Sequence, residues 1–439
     1  MHIPFTGPDD RSRVRASRLR RGTLLGAVGV LLIAMTAAWG GDSDADAEGD
    51  GEQVTLTVAT FNEFGYEDLI KQYMDENPDI KVVQKKLGTW EEHRDNLYTK
   101  LAAGSGLSDI EAIEGDGMPA ILEEADAFVD LTDPELEGRW LDWKAKGGTT
   151  TDGAMIGYGT DAGPEGICYR ADLFKKAGLP TDREEVEALF ADWDTYFETG
   201  KEFTKAMPDV AWYDSSKGTS QAMINQLEYP FEDADNNVVA LENPEVKEVF
   251  DTVTSMQSAG LATNLDQWSD DWVAAFQNDG FATMACPPWM LGVIEGNADG
   301  VEGWDIANTF PGGGGNWGGS YLVVPTQSEH PDEAKALANW LTAPDQQIGA
   351  YEAKGPFPSQ EEALSDPKLT ESVNAFFNDA PTGAIFSDRA AAVEVQPYKG
   401  PKYGDIITAF QTAILRVDQG QETPDEAWES FSADVKRIG

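Results

Sequence analysis

Strand-like and helix-like segments alternate along the chain from Val54 onward. Residues Val54–Ala59 alternate in polarity and are rich in β-branched side chains, which predicts a strand. A helix is predicted at Glu67–Glu76, a second strand at Ile80–Val83 and a second helix at Trp90–Ala103, followed by a third strand at Asp109–Ile113. Strands joined by helices over such short connections form parallel βαβ units. We therefore predict an α/β fold with helices on both faces of mostly parallel sheets.

Two later segments interrupt this alternation. Residues 159–168 and 281–289 are extended and are punctuated by glycine or proline, which predicts that they cross between domains. The chain of 439 residues is long enough for two or three domains of roughly 150 residues each. We therefore expect two α/β domains connected by crossovers.

The first 38 residues have the pattern of an export signal. A run of arginines precedes the apolar segment Thr23–Ala38, which is too short to span a membrane comfortably. Residues 39–53 form an acidic, low-complexity tether that we expect to be disordered. The signal resembles that of bacterial lipoproteins, but Trp39 stands where they have the lipid-bearing Cys. With Trp at position 39, the segment is either a secretory signal cleaved near Ala38 or an uncleaved membrane anchor. A change of Cys to Trp at this position would explain why the remainder of the segment matches a lipoprotein signal.

Charge and residue content exclude several classes of function. The net charge of −46 excludes nucleic acid as a partner, because phosphate binding needs a basic surface. Beyond the signal only His93 and His330 remain, and the chain has no Gly-x-Ser-x-Gly segment and no zinc-type Cys spacing. The stretch Gly313–Gly318 matches a dinucleotide-binding pattern but leads into a strand-like segment rather than a helix. We expect no metal and no cofactor.

Thirteen tryptophans, several of them beside Gly, Asn, Ser or Asp in predicted loops, favour a carbohydrate site. The C–H face of a pyranose ring stacks on an indole, and its hydroxyl groups need short polar partners. The clusters are Gly88–Trp90, Asp266–Trp272, Pro287–Trp289 and Gly315–Ser320. For any single Trp the alternative is packing in the core. Four clusters together favour sugar binding.

The chain has two cysteines, Cys168 and Cys286. Export places them in an oxidising compartment, where they form either a disulfide or two buried thiols. Both lie at the predicted crossovers, so we predict that they are bonded to each other, with Cα atoms about 4.4–6.8 Å apart.

Five further segments match motifs of a known protein family. They are Gly104–Ile110, Tyr169–Pro180, Gly280–Trp289, His330–Ala334 and Gly355–Ser359. Over nearly all of residues 54–439, the chain resembles the carbohydrate-specific extracellular solute-binding proteins. Members of that family, which includes the maltose-binding proteins, deliver oligosaccharides to ATP-driven import permeases. Within the family the chain is most similar to actinobacterial cello-oligosaccharide-binding proteins.

The resemblance implies two α/β lobes that close, as a hinge, on a sugar in the cleft between them, with no reaction. The first lobe would comprise residues 54–160 and 287–355, and the second residues 161–286 and 356–439. The partners implied are an oligosaccharide and the permease subunits of an ABC importer, and the chain is expected to be an extracellular monomer.

The resemblance also implies ligand contacts. Trp289 occupies the position of a stacking aromatic residue, Asp161 lies on the first crossover, and Trp317–Ser320 precede a strand. Polar residues follow the first and third predicted strands, and open α/β sheets bind ligands beyond the carboxyl ends of strands. The candidate set is Asn62, Glu63, Trp90, Glu114, Asp116, Asp161, Trp268, Trp272, Trp289, Trp317, Gly319 and Ser320.

Two other functions stay open on the sequence. A glycoside hydrolase needs two carboxylates about 5–9.5 Å apart, and the 78 acidic residues allow such a pair. A surface lectin or sensor would bind sugar without transporting it. We expect transport of a neutral di- or oligosaccharide of the cello-oligosaccharide type, because a strongly acidic chain repels an acidic sugar.

Overall fold

The computed structural model describes residues 53–439, apart from the side chain of Glu91. The predicted signal, residues 1–38, and the predicted tether up to residue 52 lie outside the described residues. Between residues 53 and 439, no helix combines the length and the apolar character needed to cross a membrane.

The strands of the described residues include all three predicted at the start of the chain. They are β1 (Val54–Thr60), β2 (Ile80–Lys86), β3 (Ile110–Glu114), β4 (Tyr158–Gly159), β5 (Asp161–Ala162), β6 (Gly166–Arg170), β7 (Ala211–Tyr213), β8 (Phe281–Cys286), β9 (Trp304–Ala307), β10 (Ser320–Val323) and β11 (Phe357–Pro358).

Several helices begin at a residue whose side chain caps the first turn. Thr89 forms a capping box with Glu92 at the start of the second helix, which ends at Gly104 in the left-handed conformation (φ 65°). The helices are α1 (Glu67–Glu76), α2 (Trp90–Ala103), α3 (Met118–Glu123), α4 (Asp142–Gly147), α5 (Ala171–Ala177), α6 (Arg183–Glu187), α7 (Trp193–Ala206), α8 (Ser216–Ile224), α9 (Pro244–Ser258), α10 (Asp270–Ala275), α11 (Pro288–Asn297), α12 (Pro331–Leu341), α13 (Pro344–Lys354), α14 (Pro367–Thr370), α15 (Thr382–Ala391), α16 (Tyr403–Asp418) and α17 (Pro424–Ile438).

The first sheet has the strand order β2-β1-β3-β10-β4. Strand β1 runs parallel to β2 and β3, whereas β10 runs antiparallel to β3 and β4. Leu56, Ile110 and Leu322 are fully buried in its core. The register pairs Ser320, the first residue of β10, with Glu114, the last residue of β3. The carboxyl end of β3 and the amino end of β10 therefore lie at the same edge.

The second sheet has the strand order β7-β8-β6-β9. Strands β7 and β8 are parallel, and β6 is antiparallel to both β8 and β9. The α/β class is as predicted, but the sheets are mixed rather than mostly parallel. The reason is that β6 and β10 each enter from the other sheet. They start at the edge where their neighbours end, so they run in the opposite direction.

The chain passes from the first sheet to the second at a predicted place. It returns between β9 and β10, where no crossover was predicted. It leaves β4 and reaches β6 through β5, which confirms the crossover at residues 159–168. The crossover predicted at residues 281–289 is wrong, because β8 lies inside the second sheet. Strand β9 also pairs with β6, so residues 304–307 belong to the second sheet and not to the first lobe. The apolar run of β8 is that of a strand buried in a sheet, which resembles an extended connection in sequence.

The predicted disulfide is present between Cys168 on β6 and Cys286 on β8. The two Cα atoms are 5.7 Å apart, and both side chains are fully buried. The bond links two neighbouring antiparallel strands of the second sheet. It therefore fixes the strand that enters from the first sheet to a strand beside it.

Candidate functional site

The two sheets meet at the segment 316–320, which leads into β10. The Gly115 N–H, just after β3, donates a hydrogen bond to the Gly319 carbonyl at 2.8 Å. The indole N–H of Trp289, at the start of α11, donates to the Trp317 carbonyl at 3.0 Å. Because β3 belongs to the first sheet and α11 follows β8 of the second, this segment contacts both halves of the chain.

Two glycines in this segment bring predicted site residues together. Gly318 and Gly319 have φ values of 88° and 91°. A Cβ atom on Gly318 would lie 3.5 Å from Trp289 Nε1 and 3.8 Å from Glu114 Oε1. A Cβ atom on Gly319 would lie only 2.8 Å from Lys144 Nζ. The left-handed backbone and these near neighbours favour glycine at both positions, and they place an indole beside a carboxyl group.

The acidic side of the site consists of Glu114 and Asp116, which follow β3 as predicted. The Asp116 N–H donates to Glu114 Oε2 at 2.7 Å. Burial, and then the charge of Asp116, raises the pKa of Glu114. Lys399 forms an ion pair with Asp116 from the far end of the chain. Burial is the largest influence on Lys399 and opposes its charged form, but Asp116, Tyr403 and Glu114 together outweigh it, and the pKa of Lys399 is raised.

Lys399 is a site residue that the sequence analysis missed. It lies 283 residues beyond Asp116, in an irregular segment just before α16. Its ammonium group is 5.4 Å from the centre of the Tyr403 ring. Pro397–Pro401 has the composition of a loop, and no local pattern pairs that loop with β3.

Glu165, on the first crossover, is a second missed residue. It is fully buried, and Asn225 Nδ2 donates to its Oε2 at 3.2 Å. Its other carboxyl oxygen, Oε1, has no hydrogen-bond partner among the described residues. Burial raises the pKa of Glu165 to about 8. A protonated carboxyl group can donate a hydrogen bond as well as accept one, so Glu165 can fix the crossover from inside the protein.

Lys144, a buried cation, and Asp161, a predicted site residue, contact the segment 316–320 that leads into β10. Lys144 on α4 has its ammonium group 3.9 Å from the centre of the Tyr321 ring. Burial lowers the pKa of Lys144 to about 8, although the charges of Asp161 and Glu114 oppose this. Asp161 Oδ1 accepts a hydrogen bond from the Ser320 N–H at 2.8 Å. Asp161 therefore fixes the first residue of β10.

Trp268, Trp289 and Trp317 come together from three separate segments, and we call them the indole cluster. Trp268 is stacked on Trp289 with ring centres 6.1 Å apart and planes inclined by 26°. Trp317 meets Trp289 edge to face at 5.5 Å. Trp268 is 49% exposed, and the other two are partly exposed. The cluster presents aromatic surface at the junction of the sheets.

Trp272 is the member of the candidate set that the structure moves into the core. It is fully buried, and its indole N–H donates to Asp214 Oδ2 at 2.9 Å. It lies on the inward face of α10 among Phe276 and Phe281. Its assignment as a ligand contact is corrected, because a side chain without exposed surface supports its neighbours rather than touching a ligand.

The remaining candidates lie on the first half of the chain. Trp90 begins α2 and packs 5.3 Å from Phe61, with its ring against the Gly117 backbone in the turn that follows Asp116. Glu63 forms an ion pair with Lys86 at 2.7 Å and is exposed, as is the neighbouring Asn62. The structure therefore places Trp90 beside the acidic side and engages Glu63 with a surface lysine.

A separate open groove lies away from these residues. It has a volume of about 880 Å³ and is lined by Tyr73, Arg139 and Trp340, among others. None of the candidate residues lines it.

Comparison with known proteins gives a consistent result. A model of the bacterial extracellular solute-binding protein family matches residues 68–378. A solved extracellular solute-binding protein of family 1 is 49% identical and has a TM-score of 0.84, with 88% of this chain and 99% of that chain covered. An arabinooligosaccharide-binding protein of Bacillus subtilis is 26% identical over 70% of this chain and 73% of its own length. The fold is also similar to that of an ABC transporter associated binding protein from B. animalis subsp. lactis, solved with β-1,6-galactobiose. That protein is 20% identical, with a TM-score of 0.71 over 86% of this chain and 96% of that chain.

Proposed function

Because the chain belongs to the bacterial extracellular solute-binding protein family, we propose that it is the substrate-binding component of an ABC importer for a neutral di- or oligosaccharide. Membership of this family makes it a binding protein rather than an enzyme, which sets aside the hydrolase alternative. Members of the family are extracellular, so the chain is an exported protein.

The observation that carries the sugar proposal is the indole cluster at the junction of the sheets. The half-exposed ring of Trp268 and the nearly parallel ring of Trp289 offer flat apolar surface next to Glu114. A pyranose ring stacked there contributes on the order of 1 kcal/mol beyond its buried area. Its hydroxyl groups would reach the carboxyl groups beside the cluster.

The charges around the cluster favour a neutral ligand. Lys399 is already paired with Asp116, and Lys144 lies against an aromatic ring. Burial raises the pKa of both Glu114 and Glu165, which favours their neutral forms. An acidic sugar would find both lysines engaged and would be repelled by the net charge of −46.

We propose Trp268, Trp289 and Trp317 as the stacking surfaces. The polar contacts proposed are Asn62, Glu63, Glu114, Asp116, Asp161, Gly319, Ser320 and Lys399, with Trp90 at the margin of the first half. The strand pairings, together with the packing of residues 403–435 in the core of the second sheet, support a first lobe of residues 54–160 and 320–355 and a second of 161–307 and 356–439. We propose that these lobes close on the sugar as a hinge.

For the identity of the sugar, we propose a cello-oligosaccharide, on the resemblance described above. The named relatives point to two further neutral candidates, arabino-oligosaccharides and β-1,6-galactobiose. Calorimetric titration with cellobiose to cellopentaose, arabinotriose, β-1,6-galactobiose and maltose tests the class and the identity together. Heat with one of the other sugars would replace the cello-oligosaccharide. Absence of heat with every sugar would overturn the proposal.

The transport role and the monomeric state need separate measurements. Deleting the gene should abolish uptake of the labelled sugar, whereas a lectin or sensor would leave uptake unchanged. Light scattering in solution should give the mass of one chain, with and without sugar.

A further inference from the structure

Trp268 combines exposure with an unfavourable backbone. Its side chain is 49% exposed, and its φ of 77° lies in the left-handed region that bulky residues rarely adopt. Such strain persists only where the surroundings fix the chain, and it is concentrated at ligand sites. The question is which groups hold this turn in place.

One carboxyl oxygen binds the chain on both sides of Trp268. Asp214 Oδ2 accepts a hydrogen bond from the Trp272 indole N–H at 2.9 Å and a longer one from Gln267 Nε2 at 3.4 Å. Gln267 immediately precedes Trp268, and Trp272 follows it by four residues. Asp214 is 2% exposed and directly follows β7. A residue of the second sheet is therefore bonded to both flanks of the strained turn.

The same turn has further support around this carboxyl group. The Thr263 hydroxyl donates to the Asp214 main-chain carbonyl, which ties the segment before the turn to the end of β7. Ser269 Oγ accepts from the Trp272 N–H at 3.2 Å and so begins α10. The Trp268 and Trp272 rings then meet with centres 5.1 Å apart.

We propose that Asp214 is a positioning residue for ligand binding, which holds Trp268 in its strained turn through Trp272 and Gln267 and so preorganises the indole cluster. Asp214 does not touch the sugar itself. The proposal rests on the proposed function, because it assigns a role in binding to a residue that lies behind the stacking surface.

The chemistry of the position supports this role. Burial raises the pKa of Asp214 to about 7, so the folded protein keeps a carboxyl group where its charged form is disfavoured. An apolar residue of similar volume fills a core at least as well. What an apolar residue cannot supply is an acceptor shared by two donors on either side of Trp268.

The test is a double-mutant cycle on sugar affinity, with Asp214→Leu, Trp268→Ala and the double variant, titrated with whichever sugar gives heat with the unmodified protein. Each single variant is expected to weaken binding about tenfold. Because Asp214 acts through Trp268, the double variant is expected to be no weaker than either single variant. Asp214→Asn keeps one acceptor oxygen and is expected to bind within about threefold of the unmodified protein.

A spectroscopic comparison separates positioning from general destabilisation. The stacked indoles of Trp268 and Trp289 contribute to the circular dichroism of the indole bands, and both Asp214→Leu and Trp268→Ala should remove the same contribution. Should Asp214→Leu fail to fold, Trp272→Phe breaks the same hydrogen bond from the donor side and should weaken binding several-fold.

Three results would overturn the proposal. They are undiminished affinity in Asp214→Leu or in its substitute Trp272→Phe, losses that multiply in the double variant, and an unchanged indole spectrum in Asp214→Leu. Absence of sugar binding by the unmodified protein would overturn the proposed function instead. The spectrum, which needs no sugar, would then still decide whether Asp214 positions Trp268.

Discussion

Trp268 and Trp272 are four residues apart and have opposite environments. Trp268 is 49% exposed, whereas Trp272 has no exposed surface. Their rings are nevertheless in contact, with centres 5.1 Å apart. Both lie in the polar segment Asp266–Trp272, so the sequence pattern predicted both as ligand contacts. The difference teaches that a Trp-rich segment can contain a binding surface together with the residue that supports it.

The largest expected difference between the two tryptophans is in the stability lost when Trp272 is replaced. Trp272→Ala should destabilise the protein by about 3–5 kcal/mol, because it leaves a cavity in a packed core. Urea unfolding measures this loss, with Trp268→Ala as the matched control. If Trp268→Ala destabilised the protein as much, the division into surface and support would be wrong.

A variant without the disulfide tests whether a loss of stability is enough to weaken sugar binding. Replacing Cys168 and Cys286 together by Ala should cost about 2–4 kcal/mol of unfolding free energy, through greater freedom of the unfolded chain. Sugar affinity measured well below the melting temperature should stay unchanged. A large loss of affinity in this variant would mean that binding follows stability, and the Trp variants could then no longer be interpreted separately.

Trp289 should behave as surface rather than support. Trp289→Ala is expected to weaken sugar binding at least tenfold, about 1.4 kcal/mol, through loss of the ring on which Trp268 stacks. Trp289→Phe keeps a smaller ring and should lose less. Thermal unfolding without sugar should match the unmodified protein, and the sugar-induced shift should shrink. A lower melting temperature with intact affinity would assign Trp289 to the core.

Buried carboxyl groups away from the cluster provide the smallest contrast. Burial raises the pKa of Asp418 to about 7, so the folded state holds its proton more tightly than the unfolded state does. The stabilisation is complete at low pH, where both states are protonated, and is lost as the pH rises toward and through 7. The melting temperature should fall by roughly 3 °C between pH 5 and 8 on this account. Asp418→Asn should reduce that slope by the contribution of one carboxyl group, because Glu114, Glu165 and Asp214 still titrate. An unchanged slope would contradict the assignment.

Local patterns were enough to predict much of the fold. Helices α1 and α2 begin and end at the predicted residues, because apolar spacing and capping residues act over one or two turns. Strand β9 was missed and β8 was taken for a crossover, because sheet membership depends on partners far away in the sequence. The three members of the indole cluster were among the predicted site residues, because each Trp carries its own local signal, although their meeting was not predicted.

The polar part of the site was harder to predict for a physical reason. The pairing of Lys399 with Asp116 spans 283 residues and leaves no mark on either segment. Glu165 is one of many acidic residues until the fold buries it. A Trp beside glycines is unusual in itself, whereas a lysine or a glutamate acquires its role only from its surroundings.

The bond between Cys168 and Cys286 also sets an order of events in the life of the chain. Thiols stay reduced in the cytoplasm, so the bond forms only after export. Before that step the second sheet lacks its covalent link, and the chain unfolds more readily. After that step the bond between the two strands makes the folded protein harder to unfold outside the cell. The same two residues therefore leave the protein less stable before export and more stable after it.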